Sequence, residues 1–250
     1  VTPLVLTHQG PEIKFPVSSL PTAHASTFAY ETKQYKGRGL IMPRPPLIRT
    51  KHIPYHISSR TKFGEAFPIS LEVVWKIMIS ELRNAQIKHG LAVHAFILMT
   101  NHFHLLAHTP KENLDQVMQE FLRNVSLRVF RTIESKQLWA PRYKWCLISA
   151  YSHYLQVYRY LYQNPVRASL VQKIEDWNFS SLKEVPFAIH SHVPMSFGGN
   201  EGELLWLNKI YSEEERKLIR LGLRRFEFSL AENDEKASQL SCEALSSFNF

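Results

Sequence analysis

Apolar and polar positions begin to follow a regular rhythm near residue 53. Ile53, Tyr55 and Ile57 alternate with His56, Ser58 and Arg60, which is the period-two pattern of a strand. Ser70 stands where it can cap a helix over about 71–89, with Glu72 in the first turn and Gly90 as the stop. The apolar stripe of that helix is Leu71, Val74, Trp75, Met78, Leu82 and Ala85. Leu91–Met99 is almost wholly apolar, as expected of a strand covered on both faces. Thr100-Asn101 then makes a tight turn, and His102–His108 returns as a partner strand. Asn113 with Gln116 has the spacing of a capping box, opening a helix to about Arg131 with a core stripe of Leu114, Val117, Phe121 and Val125. Tyr143–Ser149 reads as a fourth strand, and Ser152–Asn164 as a helix that Pro165 ends. The order is β-α-β-β-α-β-α. Its first six elements spell an α+β fold, the ferredoxin-like split βαβ, with an antiparallel sheet and helices on one face.

Outside this segment the pattern fades. Residues 1–41 are rich in Pro, Ser, Thr and Gly, follow no period, and lack the charged start and apolar run of a signal peptide. They read as a flexible leader, and Met42 as a natural start of translation, which would make the leader upstream read-through. In the stretch 186–250, Gly198-Gly199 reads as a linker. Ser212 with Glu215 forms a second capping box, opening a basic helix to about Arg225, and the last twenty-five residues are polar. The expected organisation is a leader over 1–41, a domain over 42–185 and a partly helical extension over 186–250.

Composition narrows the function. With 44% hydrophobic and 12% aromatic residues among 250, the chain can bury a core. No apolar run is long enough to span a bilayer. Two cysteines, Cys146 and Cys242, exclude a disulfide-stapled scaffold and fit a reducing cytosol. The formal charge of +8 is unevenly spread: residues 42–185 hold 19 Lys+Arg against 10 Asp+Glu, whereas residues 186–250 hold 7 against 10. A basic middle segment favours a polyanionic partner, most simply nucleic acid. There is no Gly-rich phosphate loop, GxSxG elbow or zinc-type cysteine cluster, which argues against nucleotide hydrolases, serine hydrolases and zinc fingers.

Two features carry chemistry. In His102-Phe103-His104 the imidazoles lie two apart on a strand, so they share one side with backbones about 7 Å apart and can share one divalent ion. Two strand histidines making ordinary hydrogen bonds give the same pattern. A second pair, His190-Ser191-His192, lies in a polar, Pro-flanked stretch and reads as a solvated loop. The other feature is a helix with five tyrosines. Tyr154, Tyr158 and Tyr162 fall on its apolar side and read as core. Tyr160 shares a polar stripe with His153, Gln156, Asn164 and Arg167, one and two turns away. Cys146 reads as a small buried hydrophobe.

Five stretches occur in an order that resembles one family: Met42-Pro-Arg-Pro-Pro, Tyr55-His-Ile-Ser-Ser-Arg60, His94 through Leu106, Leu138-Trp-Ala-Pro-Arg-Tyr-Lys144, and Arg159-Tyr-Leu-Tyr-Gln-Asn-Pro-Val-Arg-Ala168. Together they resemble the single-tyrosine HUH transposases of the insertion-sequence-200-like family, and most of all its REP-associated tyrosine transposase branch. The resemblance covers about 42–185. It implies His102 and His104 as metal ligands, Asn164 as the polar residue completing that site, and Tyr160 as the nucleophile. It implies a metal-dependent DNA strand transferase that cuts and rejoins single-stranded DNA at hairpin-forming ends through a 5′-phosphotyrosine. The cofactor would be Mg²⁺ or Mn²⁺, with Zn²⁺ or Ni²⁺ also accepted by such ligands, and no small-molecule cofactor is implied. The implied setting is bacterial, cytoplasmic and nucleoid-associated, as a monomer or homodimer. Arg60, Arg123, Arg128, Arg142, Lys144 and Arg167 are the expected DNA contacts, with exposed aromatics stacking on unpaired bases. A non-cleaving DNA-binding regulator at repeat sequences and a metal-dependent phosphodiesterase with a water nucleophile are the two other readings. Thr100 stands where the family commonly has Pro, and Thr61 where Gly is usual.

Overall fold

A computed structural model describes residues 46–131, 137–191 and 200–230. The leader, the Gly198-Gly199 linker and residues 231–250 of the final stretch lie outside the described residues; its first residues, 226–230, are described and bury Phe228 and Leu230, with Phe228 N–H donating to Leu147 O at 2.8 Å. The elements run β1 (Tyr55–Arg60), α1 (Leu71–His89), β2 (Ala92–Leu98), β3 (His102–His108), α2 (Leu114–Phe130), β4 (Lys144–Leu147), α3 (Tyr151–Arg167), α4 (Asn200–Leu207) and α5 (Glu213–Gly222). The sheet order is β2-β3-β1-β4 with every pairing antiparallel. Through β4 this is the split βαβ arrangement expected from the pattern.

Strand parity sorts the sheet into two faces. Phe103 sits edge-on to Phe121 of α2, with ring centroids 5.6 Å apart, and Phe96 stacks on Trp75 of α1 at 5.6 Å. Thus α1 and α2 cover the Phe103 face. Fully burying a side chain of that size contributes about 2–3 kcal/mol. The opposite face carries His102, His104 and Leu106, and α3 covers it through a shared core of Ile97, Leu106, Cys146, Tyr154, Leu155, Val157, Tyr158 and Leu161. The helices are therefore divided, with the α1–α2 pair on one face and the tyrosine helix on the other. Cys146 is fully buried in this second layer, as its strand position suggested.

Local details depart from the sequence reading in three places. Neither Ser70 nor Asn113 makes a side-chain cap; Asn113 instead has a buried Oδ1 with no partner among the described residues. Pro165 does not end α3, which continues through Arg167 with the proline inside its last turn. The missing proline N–H would leave the Leu161 carbonyl without its usual helical donor. Asn164 Nδ2 supplies the replacement, donating to Leu161 O at 3.1 Å and to Tyr160 O at 3.0 Å. By contrast, Ser212 and Glu215 form the full reciprocal capping box at the start of α5.

The loop after β1 explains why Thr61 is tolerated. Its backbone is extended, with φ −59° and ψ 157°, and its N–H donates to Asn101 O at 2.8 Å. The left-handed conformations fall at Phe63 (φ 63°) and Gly64 (φ 76°) instead. The Thr100-Asn101 turn is closed by Met99 N–H donating to His102 O at 2.8 Å. Among the described residues, no helix is long and apolar enough to cross a membrane.

Candidate functional site

The site lies where the start of β3 faces the middle of α3. In the antiparallel register Ser58 is paired with His104 and Arg60 with His102, while Lys144 of β4 is paired with Ser58. Cross-strand partners share a face. Arg60, His102, His104 and Lys144 therefore all point to the α3 side, as does His56 two residues before Ser58.

Each imidazole of the HxH pair is held by its Nδ1. His102 Nδ1 lies 2.6 Å from Asn101 Oδ1. Asn101 Nδ2 donates to Gly64 O at 2.6 Å, which fixes the amide with its oxygen toward the ring. His102 must then carry its proton on Nδ1 and keep a lone pair on Nε2. His104 Nδ1 lies 2.9 Å from His56 Nε2, with the two rings stacked at 5.2 Å. The His102 and His104 rings stand edge to face, 5.0 Å between centroids. His56 was read only as a polar strand position. Its relation to His104 depends on β1–β3 register, and the shared parity of His56, Ser58 and Arg60 was the one available signal.

These rings are neutral. Burial pushes the His56 pKa down to about 3 and, with help from the Arg167 charge, that of His102 to about 4. Burial likewise carries His104 well below the ordinary imidazole value, aided by its two histidine neighbours. Neutral imidazoles with engaged Nδ1 atoms and uncommitted Nε2 atoms are in the state that ligates a divalent ion. Among the described residues, no three side chains of His, Cys, Asp or Glu converge on a metal position. A two-imidazole site would need a further oxygen donor. Asn164 is 2% exposed, and both of its hydrogen bonds use Nδ2, leaving Oδ1 unengaged. By chemistry, two neutral imidazoles and an amide oxygen suit a divalent ion.

Tyr160 was expected on a polar stripe. It is in fact only 6% exposed and joins the α3-side core. Its ring meets that of His104 edge to face, with centroids 6.4 Å apart. The neighbouring tyrosines of α3 have committed hydroxyls. Tyr154 OH lies 3.1 Å from His94 Nδ1, Tyr158 OH donates to Glu203 at 3.0 Å, and Tyr162 OH bonds Ser181 Oγ at 2.8 Å. The Tyr160 hydroxyl makes no hydrogen bond among the described residues. Burial raises its pKa, and the charges of Arg167, Arg220 and Arg216 pull the other way.

The structure gathers some of the expected DNA contacts and leaves others apart. Arg60 and Lys144 are exposed on the site face, and exposed Arg167 projects its charge on Tyr160, His102 and His104. Arg142 is exposed two residues before β4. Arg123 and Arg128 ride on α2, which covers the other face. Arg128 is ion-paired to buried Glu81 at 2.9 Å, and Arg123 lines a cleft with Lys88, His89 and Glu120. The second histidine pair is not a solvated loop at its first member: half-buried His190 donates its N–H to Val93 O at 2.7 Å. His192 lies outside the described residues.

No protein-family model matches the chain, and no curated protein does. Solved structures do resemble it. One is a REP-associated tyrosine transposase bound to a REP hairpin, at 16% identity over 59% of this chain and 92% of that chain, with a TM-score of 0.48. Another is a candidate transposase from Deinococcus radiodurans R1, at 20% identity over 57% of this chain and 96% of that chain, with a TM-score of 0.33.

Proposed function

We propose that the chain is a DNA strand transferase of the single-tyrosine HUH type, cutting and rejoining single-stranded DNA at hairpin-forming ends. The observation that carries this reading is the uncommitted Tyr160 hydroxyl beside the His102–His104 pair, while the tyrosines around it have their hydroxyls bonded. The five ordered motifs agree with it.

In the proposed reaction Tyr160 Oη attacks a backbone phosphorus. The P–Oη bond forms and the bond from phosphorus to the 3′ oxygen breaks. The phenol proton is lost to solvent and the departing 3′ oxygen takes one up. The product is a 5′-phosphotyrosine and a free 3′ hydroxyl. Attack by another 3′ hydroxyl restores a phosphodiester and returns the phenol, so no external energy source is required. Burial raises the phenol's pKa, so at neutral pH it enters as the neutral hydroxyl. His102 Nε2, His104 Nε2 and Asn164 Oδ1 would hold a divalent ion, for which Mg²⁺ or Mn²⁺ is the proposed choice. Such an ion polarises the phosphate and offsets charge developing on its oxygens. Asn101 and His56 keep the two rings oriented through Nδ1. Arg60, Lys144, Arg142 and Arg167 are the proposed contacts to the strand's phosphates; of these four, Arg167 is the one whose charge acts on Tyr160 and the two imidazoles.

Incubating a labelled hairpin oligonucleotide with the protein and Mg²⁺ or Mn²⁺ tests this reading. The expected product is a label-bearing covalent protein adduct that chelator prevents. Binding without an adduct would leave a non-cleaving regulator, and strand scission that persists in Tyr160→Phe would indicate a water nucleophile.

A further inference from the structure

Beyond the motif-bearing segment, α5 packs against α3 on the layer that holds Tyr160. The attachment is specific. Gln163 of α3 donates from Nε2 to Leu207 O and to Lys209 O, both at 2.9 Å, and accepts from Tyr211 N–H at 3.0 Å. Buried Arg159 places its guanidinium 3.7 Å from the Tyr211 ring centroid. The capping box at Ser212 starts α5 directly after Tyr211, and fully buried Ile219 joins the core cluster that includes Tyr160. The rotation of α5 is therefore fixed, and Arg216 and Arg220, one turn apart, lie together on one side of buried Ile219, Arg216 half-buried and Arg220 exposed.

The two arginines differ in how far they are neutralised within the protein. Arg216 is half-buried; one guanidinium nitrogen meets Glu213 at 2.5 Å, while its Nε is buried with no hydrogen-bond partner among the described residues. Exposed Arg220 makes no ion pair or hydrogen bond among the described residues, nor does Arg167 in the last turn of α3. The charges of all three act on the Tyr160 phenol, with Glu213 as the one opposing carboxylate. Glu213 offsets one of these three positive charges, and the unpaired charges of Arg167 and Arg220 favour an anion beside the phenol. The planar forks of Arg216 and Arg220 suit a phosphate diester.

We propose that α5 forms a second wall of the site, in which Arg216 and Arg220 bind the backbone phosphates of the DNA strand at Tyr160. The site is then composite, with the sheet and α3 contributing the reacting groups and the C-terminal helix contributing the phosphate clamp. This rests on the strand-transferase reading for the identity of the ligand, but its test does not depend on cleavage.

The test uses the full chain carrying Tyr160→Phe, which holds DNA without cutting it. Affinity for a fluorescent single-stranded oligonucleotide is measured across a salt series for Arg216→Gln, Arg220→Gln and the pair. Each loss of an arginine should weaken binding about tenfold at low salt and reduce the slope of log affinity against log salt by about 0.7. A neutral methylphosphonate walked along the oligonucleotide should, at one or two phosphates, weaken binding to the parent but not to the doubly substituted protein. A purely structural arginine would leave both the slope and the methylphosphonate penalty unchanged, and either of those results overturns the proposal. Arg220 is exposed, so its variant should melt with the parent even if Arg216→Gln loosens α5. Failure of the wild-type chain to form an adduct would count against the nucleophile assignment and leave the clamp standing.

Discussion

The α3-facing side of β3 carries histidines at both ends, and the two ends have different fates. At the far end, His94 Nε2 lies 2.7 Å from His108 Nδ1, and His94 Nδ1 lies 3.1 Å from the Tyr154 hydroxyl. Both nitrogens of His94 are consumed within the protein, and the group is buried. At the near end, among the described residues, His102 and His104 are each held by Nδ1 alone, and the adjacent Tyr160 hydroxyl is left open. Residue types are the same in both clusters: paired imidazoles on adjacent or alternate strand positions and a tyrosine from α3. What separates the satisfied polar network from the site proposed to react is which valences the neighbours have already taken.

That contrast can be broken most severely at the phenols. Tyr160→Phe should lower covalent adduct formation on the order of 10⁴-fold or more, as for loss of other nucleophiles. Tyr154→Phe should keep adduct formation in the folded protein and show its cost in thermal melting. Equal losses of adduct from the two variants would erase the distinction.

The imidazoles come next. His104→Ala should cut the metal-dependent rate about 100-fold or more through loss of a ligand. His94→Ala should instead destabilise the fold by about 1–3 kcal/mol, by stranding its buried partners, and leave the rate per folded molecule near normal. Denaturant unfolding and single-turnover kinetics on the same samples separate the two effects.

The near cluster should also govern part of the acid stability. Burial holds His56 at about 3 and His102 at about 4, below an exposed imidazole at 6.5. Between those values the unfolded chain binds protons that the folded site refuses, so stability falls as pH drops from 6.5 toward 4. With chelator present, each such histidine should contribute a slope of about 1 kcal/mol per pH unit in that window. His56→Gln should flatten the curve by one histidine's share, and an unchanged slope would mean that His56 takes up its proton without unfolding.

The smallest effect concerns two arginines of the same basic segment. Arg167→Gln should weaken DNA binding several-fold and lower the salt slope by about 0.7, whereas Arg128→Gln should leave the slope alone. Removing the Arg128 partner of buried Glu81 should instead lower the melting temperature. A salt slope that responds equally to both would place DNA on the α2 face as well.

Much of this molecule is legible along the chain. The bounds of α1 and β3 follow from their periods and from Gly90, because a face that must be buried repeats every 3.6 or every 2 residues whatever it is buried against. His102, His104 and Tyr160 were singled out by parity and stripe. Pro165 misled because a proline in the last turn forfeits a single backbone bond, and Asn164 restores the acceptor's partner from its side chain. The caps at Ser70 and Asn113 misled because a side chain of the right type need not adopt the cap rotamer. Neither α4 nor the partnership of α5 with α3 could be read, since no local pattern records which surface an amphipathic helix will meet.

Alternation and helical period, which depend on residues close together in the chain, were enough to establish the α+β architecture and the pairing of two imidazoles on one strand; the polar stripe read for Tyr160 was not, because α3 is buried all round from Tyr154 to Pro165. Whether those groups meet was settled by strand register and helix docking, which join residues fifty or a hundred positions apart. Register brought His56 behind His104, docking brought Tyr160 over it and α5 alongside, and burial then decided protonation and which hydroxyl stayed unbonded. Long-range pairing and desolvation leave no periodic trace in the chain, and for that reason the open valences at this site became visible only in three dimensions.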